Sequence, residues 1–161
     1  VYPTHMTEGT VMWPKETKKP NALVRCAETE TMLLPAGCYV LVKRFSAKEE
    51  RRRVVASLVR EGDLPGDAWA FENHLNVFHS ANRGLHPALA AGLAVWLNST
   101  VVDVAFRQFS GHTQVNATDL RNMRYPSHDE LIALGEAAGV SVLTQEKVDA
   151  LVANHVAGIR T

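Results

Sequence analysis

The stretch CYVLVKRFSAKEERRRVVASLVR, residues 38–60, decides the reading of the fold. Within Cys38–Phe45 apolar side chains fall on both alternating faces until Lys43, which is the pattern of a central strand covered on both sides. Lys43 and Arg44 then mark a basic far end that faces solvent or a ligand. Residues 46–60 admit two readings. Ser46 followed by Glu49 fits a helix capping box, with Val54, Val55, Leu58 and Val59 at helical spacing; Val54-Val55 after a polar hinge equally suits the return strand of a hairpin. The hairpin is preferred.

Working outward, Ala22–Cys26 and Thr31–Leu34 are short apolar runs expected as strands, and Pro35-Ala36-Gly37 is a turn into the central strand. Trp69–His79 alternates, with Phe71, Leu75 and Val77 on one face and Glu72, His74 and Asn76 on the other, which predicts one half-buried strand. The character changes at residue 84. Pro87 sits at a first helical position before the compact apolar run Ala88–Leu97. Ser99 can cap a second helix through Phe109, and the Asn98-Ser99-Thr100 triplet reads as the end of one helix and the cap of the next rather than as a glycosylation acceptor. Ser127 with Glu130 forms a capping box for a third helix that Gly139 ends, and a fourth is predicted from Thr144 to about Val156. Strands followed by helices predict an α+β domain: a mostly antiparallel or mixed sheet over 1–83 and a helical half over 84–161, all within one domain.

The chain has 161 residues, of which 46% are hydrophobic, enough to bury one core. It opens at Val1 without a Met and enters a strand-and-turn pattern at once, so it is expected to be a piece of a larger protein. No run approaches the roughly 18 apolar residues of a membrane span, and the start lacks a secretion signal; a cytoplasmic location with no membrane partner is expected. Cys26 and Cys38 are too few for a disulfide framework and read as reduced thiols. Net charge is zero, which argues against a polycation that coats nucleic acid. The charge is nonetheless unevenly placed. Residues 43–60 carry seven cations against two anions, whereas residues 61–80 hold four anions and the tail after Pro126 is acidic. One concentrated basic face suits a phosphate backbone. Lys43, Arg44, Lys48, Arg51, Arg52 and Arg53 are its candidate contacts, because arginine forks bind phosphate or a guanine edge bidentately and lysine acts as a point charge. A solvated hairpin partly neutralised by Glu49 and Glu50 is the alternative.

Residues 99–126, STVVDVAFRQFSGHTQVNATDLRNMRYP, hold the densest polar chemistry. From Ser110 to Leu120, hydroxyls, amides and an imidazole surround a glycine, and such groups either satisfy a tight loop or hydrogen-bond phosphates and base edges. This run resembles the signature at the end of the recognition domain in restriction-modification adenine methyltransferases whose modification and recognition parts share a chain. A looser form is similar to a segment of the specificity subunits of multi-subunit restriction systems. YVLVKRFSAKEERRRVVAS, residues 39–57, and FENHLNVFH, residues 71–79, extend the resemblance over most of 38–127.

The resemblance implies a C-terminal target-recognition domain. It would dock duplex DNA for a separate N-terminal catalytic domain that flips out an adenine and methylates it with S-adenosylmethionine. His112, Thr113, Gln114 and Asn116 then join the candidate DNA contacts. A motif shared by relatives with different targets is expected to shape the domain or hold the sugar-phosphate backbone, leaving base reading to variable loops. Neither a glycine-rich cofactor loop nor an Asn/Asp-Pro-Pro-Tyr/Phe tetrapeptide occurs, so no catalytic residue, bound cofactor or metal is expected in this chain. His74, His79 and His86 match no zinc spacing. Two rivals stand beside this reading: a metal-dependent nuclease domain built on Glu61, Asp63, Asp67 and Glu72, and a protein-interaction or scaffold domain using the later helices.

Overall fold

The computed structural model describes every residue except 8, 47, 48, 110–112, 140 and 159–161. Among the described residues seven short strands precede five α-helices. β1 (Met6–Thr7) and β2 (Thr10–Val11) form a hairpin. β3 (Leu33–Pro35) pairs antiparallel with β6 (Ala68–Ala70). β4 (Tyr39–Lys43) lies between β5 (Ala56–Val59) and β7 (Leu75–Phe78) in an antiparallel three-stranded sheet, with Tyr39 opposite Val59, Val40 opposite Phe78 and Lys43 opposite Leu75. The helices are α1 (Pro87–Leu97), α2 (Thr100–Phe109), α3 (Ala117–Asn122), α4 (His128–Ala138) and α5 (Gln145–His155). This is the α+β order expected, strands first and helices after.

β4 is central for the reason its sequence suggests. Residues 39–42 are 0% exposed, and their alternation feeds two apolar layers. Val40 and Val42 pack with α1, α2 and the later helices, against Leu93, Leu97 and Phe106. Tyr39 and Leu41 face a second layer with Met6, Leu64, Trp69 and Leu75. The outer edge of β5 would otherwise expose unpaired peptide groups. Asn98 closes it: its Oδ1 accepts from Ala56 N at 3.0 Å and its Nδ2 donates to Ala56 O at 2.9 Å, while Leu58 N donates to Gly9 O at 2.8 Å. The amide of Asn98 thus acts as a strand would, after ending α1.

The helix boundaries follow local chemistry. Pro87 opens α1, and Ser99 Oγ accepts from Val102 N at 3.3 Å ahead of α2. Ser127 Oγ accepts from Glu130 N at 3.2 Å while Glu130 Oε2 accepts from Ser127 N at 2.8 Å, which completes the capping box of α4. Gly139, at φ +65°, terminates it. α1 and α4 cross at two glycines. A Cβ on Gly92 would fall 1.8 Å from Leu131 O, and one on Gly135 would fall 1.8 Å from Ala88 O. Only backbones without side chains allow that approach.

Three expectations are corrected. Ala22–Cys26 is exposed and irregular; Thr29 Oγ1 donates to Val24 O at 2.7 Å and accepts from Cys26 N at 3.0 Å, which holds the run as a turn. Trp69–His79 is two strands rather than one. Leu75 N donates to Glu72 O at 2.9 Å, turning the chain from β6, beside β3, into β7, beside β4. Both pieces lie against the same apolar layer, which is why the alternation of Phe71, Leu75 and Val77 survives the break. α3 is a helix inside a run that reads as polar loop, whereas the hairpin preferred for the run after Ser46 agrees with Ala56–Val59 forming β5. No single helix among the described residues is long and apolar enough to cross a membrane.

Replacing Gly135 with Ala should lower the unfolding free energy by about 2 kcal/mol or more, because the helices must separate to admit the methyl group. A urea midpoint unchanged from that of the unaltered chain would show that the crossing is looser than the geometry indicates.

Candidate nucleic-acid interface

The basic end of β4 and the polar motif, some seventy residues apart in sequence, meet in space. Val115 N donates to Arg44 O at 2.7 Å and Ser46 N donates to Thr113 O at 3.2 Å, with Phe45 bridged to Gln114 between them. Residues 113–115 therefore continue the sheet at the point where β7 begins. Arg44 N donates to His74 O at 2.9 Å, and Asn76 Nδ2 donates to Val115 O at 2.8 Å, tying all three segments together. Val115 is 0% exposed and anchors the motif in the helical core.

The motif's own residues divide by environment. Thr113 is exposed, and Gln114 and Asn116 are half-buried. Asn116 is the N-cap of α3, whose Asp119 returns a carboxylate to Asn116 N at 3.3 Å. Leu120, on α3, is buried, and its carbonyl accepts from Tyr125 Oη at 2.8 Å. Burial pushes the Tyr125 phenol up to about 12, so it stays a neutral donor. Lys48 and His112 lie outside the described residues.

Lys43 and Arg44 are half-buried at the strand end. Arg44 Nη1 donates to Asn73 O at 3.0 Å, which fixes the guanidinium at the surface, while its Nε is buried with no partner among the described residues. Arg51 is exposed. The other two arginines of the triplet are turned inward. Arg53 is 1% exposed; its Nε donates to Ser46 Oγ at 3.1 Å, its guanidinium lies 5.7 Å from the Phe106 ring, and its backbone N donates to Asp103 Oδ1 at 2.6 Å. Arg52 donates to Gln145 Oε1 and, at 2.6 Å, to Ser99 O. Burial draws the Arg52 guanidinium below its ordinary value, while Asp103 and Asp149 pull the other way. Arg53 is thus withdrawn as a candidate contact by its burial, and the Arg52 fork is occupied by bonds that tie the hairpin to α2 and α5. An arginine run in sequence does not distinguish the exposed cation from those that neighbouring elements bury.

Sequence reasoning missed Phe45 and His74. Phe45 is 47% exposed, and its ring centroid lies 5.2 Å from that of His74. The signal was an aromatic residue continuing past two cations at a strand end. Three of the four acidic residues behind the nuclease rival have partners of their own: Asp63 accepts from Arg60 N, Asp67 lies 3.5 Å from Arg25, and Glu72 holds His74. Among the described residues no group of three or more His, Cys, Asp or Glu could hold a metal ion.

No family model matches the chain, and no solved structure gives a significant match. Two curated proteins do. The type II methyltransferase M.BsuBI of Bacillus subtilis is 50% identical over 135 residues, covering 84% of this chain and 27% of that protein. The type II methyltransferase M.PstI of Providencia stuartii is 42% identical over 153 residues, covering 94% of this chain and 30% of that protein. The chain is thus similar to one part of each of these two proteins. It spans about three tenths of the length of these relatives.

Gly84 lies in the connection from β7 to α1. A Cβ there would lie 2.7 Å from Cys38 N, so the space is filled by the protein's own backbone, which is bridged through Cys38 and Leu85.

Arg53→Ala should lower the unfolding free energy of the chain by about 2–4 kcal/mol, since it empties a buried site and strips Ser46 of a donor. Arg51→Ala should leave it within ~0.5 kcal/mol. Equal effects in urea unfolding would contradict the division between inward and outward arginines.

Proposed function

We propose that the chain is the target-recognition domain of an adenine-specific restriction-modification methyltransferase, and that it binds duplex DNA through the end of β4 and the segment 113–116. The observation that carries the reading is the joining of these two stretches into one continuous edge, with Lys43, Arg44, Phe45 and Thr113 at its surface. Similarity to one part of two type II methyltransferases supports it.

In this reading Lys43, Arg44 and Arg51 bind phosphates and set register, because cation-phosphate contacts supply affinity without sequence information. Thr113 and Gln114 present short donors and acceptors beside them. Base reading falls to side chains that this edge places in a groove, and extrusion and methylation of the adenine fall to a catalytic part that carries S-adenosylmethionine. Arg52 and Arg53 contribute indirectly, by fixing the hairpin that carries Arg51.

The test is the salt dependence of duplex binding by the full-length protein. Lys43→Ala, Arg44→Ala and Arg51→Ala should each reduce the log-log slope by about 0.9. Slopes indistinguishable from that of the unaltered protein in all three variants would exclude this edge as the phosphate contact.

A further inference from the structure

Phe45 is the one phenylalanine with a described side chain that is exposed; Phe71, Phe78 and Phe106 are half-buried or buried. An exposed aromatic ring on a loose loop would mean little. This one is held. Its residue is bridged to Gln114, its neighbours Arg44 and Ser46 are hydrogen-bonded to His74 and Thr113, and its ring leans on the His74 ring at 5.2 Å with the planes 59° apart.

His74 is held in turn. Glu72 Oε1 lies 2.6 Å from His74 Nδ1, and Glu72 Oε2 accepts from His74 N at 3.0 Å. Both carboxylate oxygens of Glu72 are thereby engaged by His74. Arg44 is anchored beside the pair through Asn73 O. The result is an aromatic surface with little conformational freedom left to lose, flanked by a cation on one side and by the hydroxyl and amide of Thr113 and Gln114 on the other.

We propose that Phe45, braced by His74, is a stacking surface for a nucleobase. The inference rests on the duplex-DNA reading above and adds to it a contact with a base face at a step that the protein opens. The occupant is argued from charge and shape together. Cations draw the sugar-phosphate chain to this edge, and the face of a base is the apolar surface that such a chain carries. Stacking is indifferent to the hydrogen-bonding pattern of the base, so Phe45 contributes affinity and position rather than sequence choice.

The experiment uses the full-length protein and a duplex selected from a randomised pool on the unaltered protein. Phe45→Ala should weaken binding roughly 5- to 150-fold, the range of one base-aromatic stack, with the salt slope unchanged. Phe45→Leu, which keeps an apolar side chain but has no π-face, should behave as Ala does; Phe45→Trp should bind as the unaltered protein does. All three should melt at the unaltered temperature. Unweakened binding by Phe45→Ala overturns the proposal, and so does full rescue by Leu or a fall in melting temperature that parallels the loss of affinity, since either marks packing rather than stacking. If the unaltered protein selects no duplex at all, the DNA reading itself fails. If it selects one and Phe45→Ala still binds it normally, only the stacking contact fails.

Discussion

Everything in this fold depends on a single strand being covered on four sides. Residues 39–42 are wholly buried, so β4 needs a hydrogen-bonded neighbour along each edge and an apolar layer over each face. Burying side chains of this size contributes roughly 1.5–3 kcal/mol each, which makes their coverage the dominant local driving force. β5 and β7 supply the edges. The helices cover Val40 and Val42, while the N-terminal arm and the segment around Trp69 cover Tyr39 and Leu41.

That coverage stops at Lys43, and the candidate site exists because it stops there. Beyond the sheet's end the backbone of residues 44–46 still needs partners, and the motif segment provides them through Thr113 O and Val115 N. The same bonds that satisfy the strand bring the motif to the surface beside the cations. Asp103 joins the two functions. It accepts from Arg53 N and pairs with Arg107 at 2.8 Å, whose Nη2 donates to Glu50 O at 2.9 Å, so α2 grips the hairpin that presents Arg51. Asp149 adds a second tie, accepting from Thr100 N at 2.7 Å and from Thr100 Oγ1 at 2.6 Å to fasten α5 to the start of α2.

The features legible in the sequence are those whose cause is local. Ser127 and Glu130 satisfy each other within one turn, Pro87 and Gly139 impose their own backbone angles, and the doubly apolar run at Tyr39–Val42 has no stable place except the centre of a sheet. The features that were not legible depend on distant partners. Glu72 breaks one alternating run into two strands, and which neighbours they choose depends on β3 and β4. Arg51, Arg52 and Arg53 are chemically alike in sequence and differ only because Asp103, Ser99, Ser46 and Gln145 stand around two of them. For the candidate site, Lys43, Arg44 and Thr113 were legible as polar chemistry, but their meeting through Phe45 and Gln114 was not, since nothing local encodes a pairing across seventy residues.

Amide exchange in the full-length protein, with and without saturating duplex DNA, bears on this arrangement without altering any side chain. If the joined edge is the DNA-binding face, duplex should slow exchange at residues 43–46, 73–75 and 113–116 while leaving residues 145–155 of α5 unchanged. Duplex bound at saturation with no added protection at 43–46 and 113–116 would contradict it.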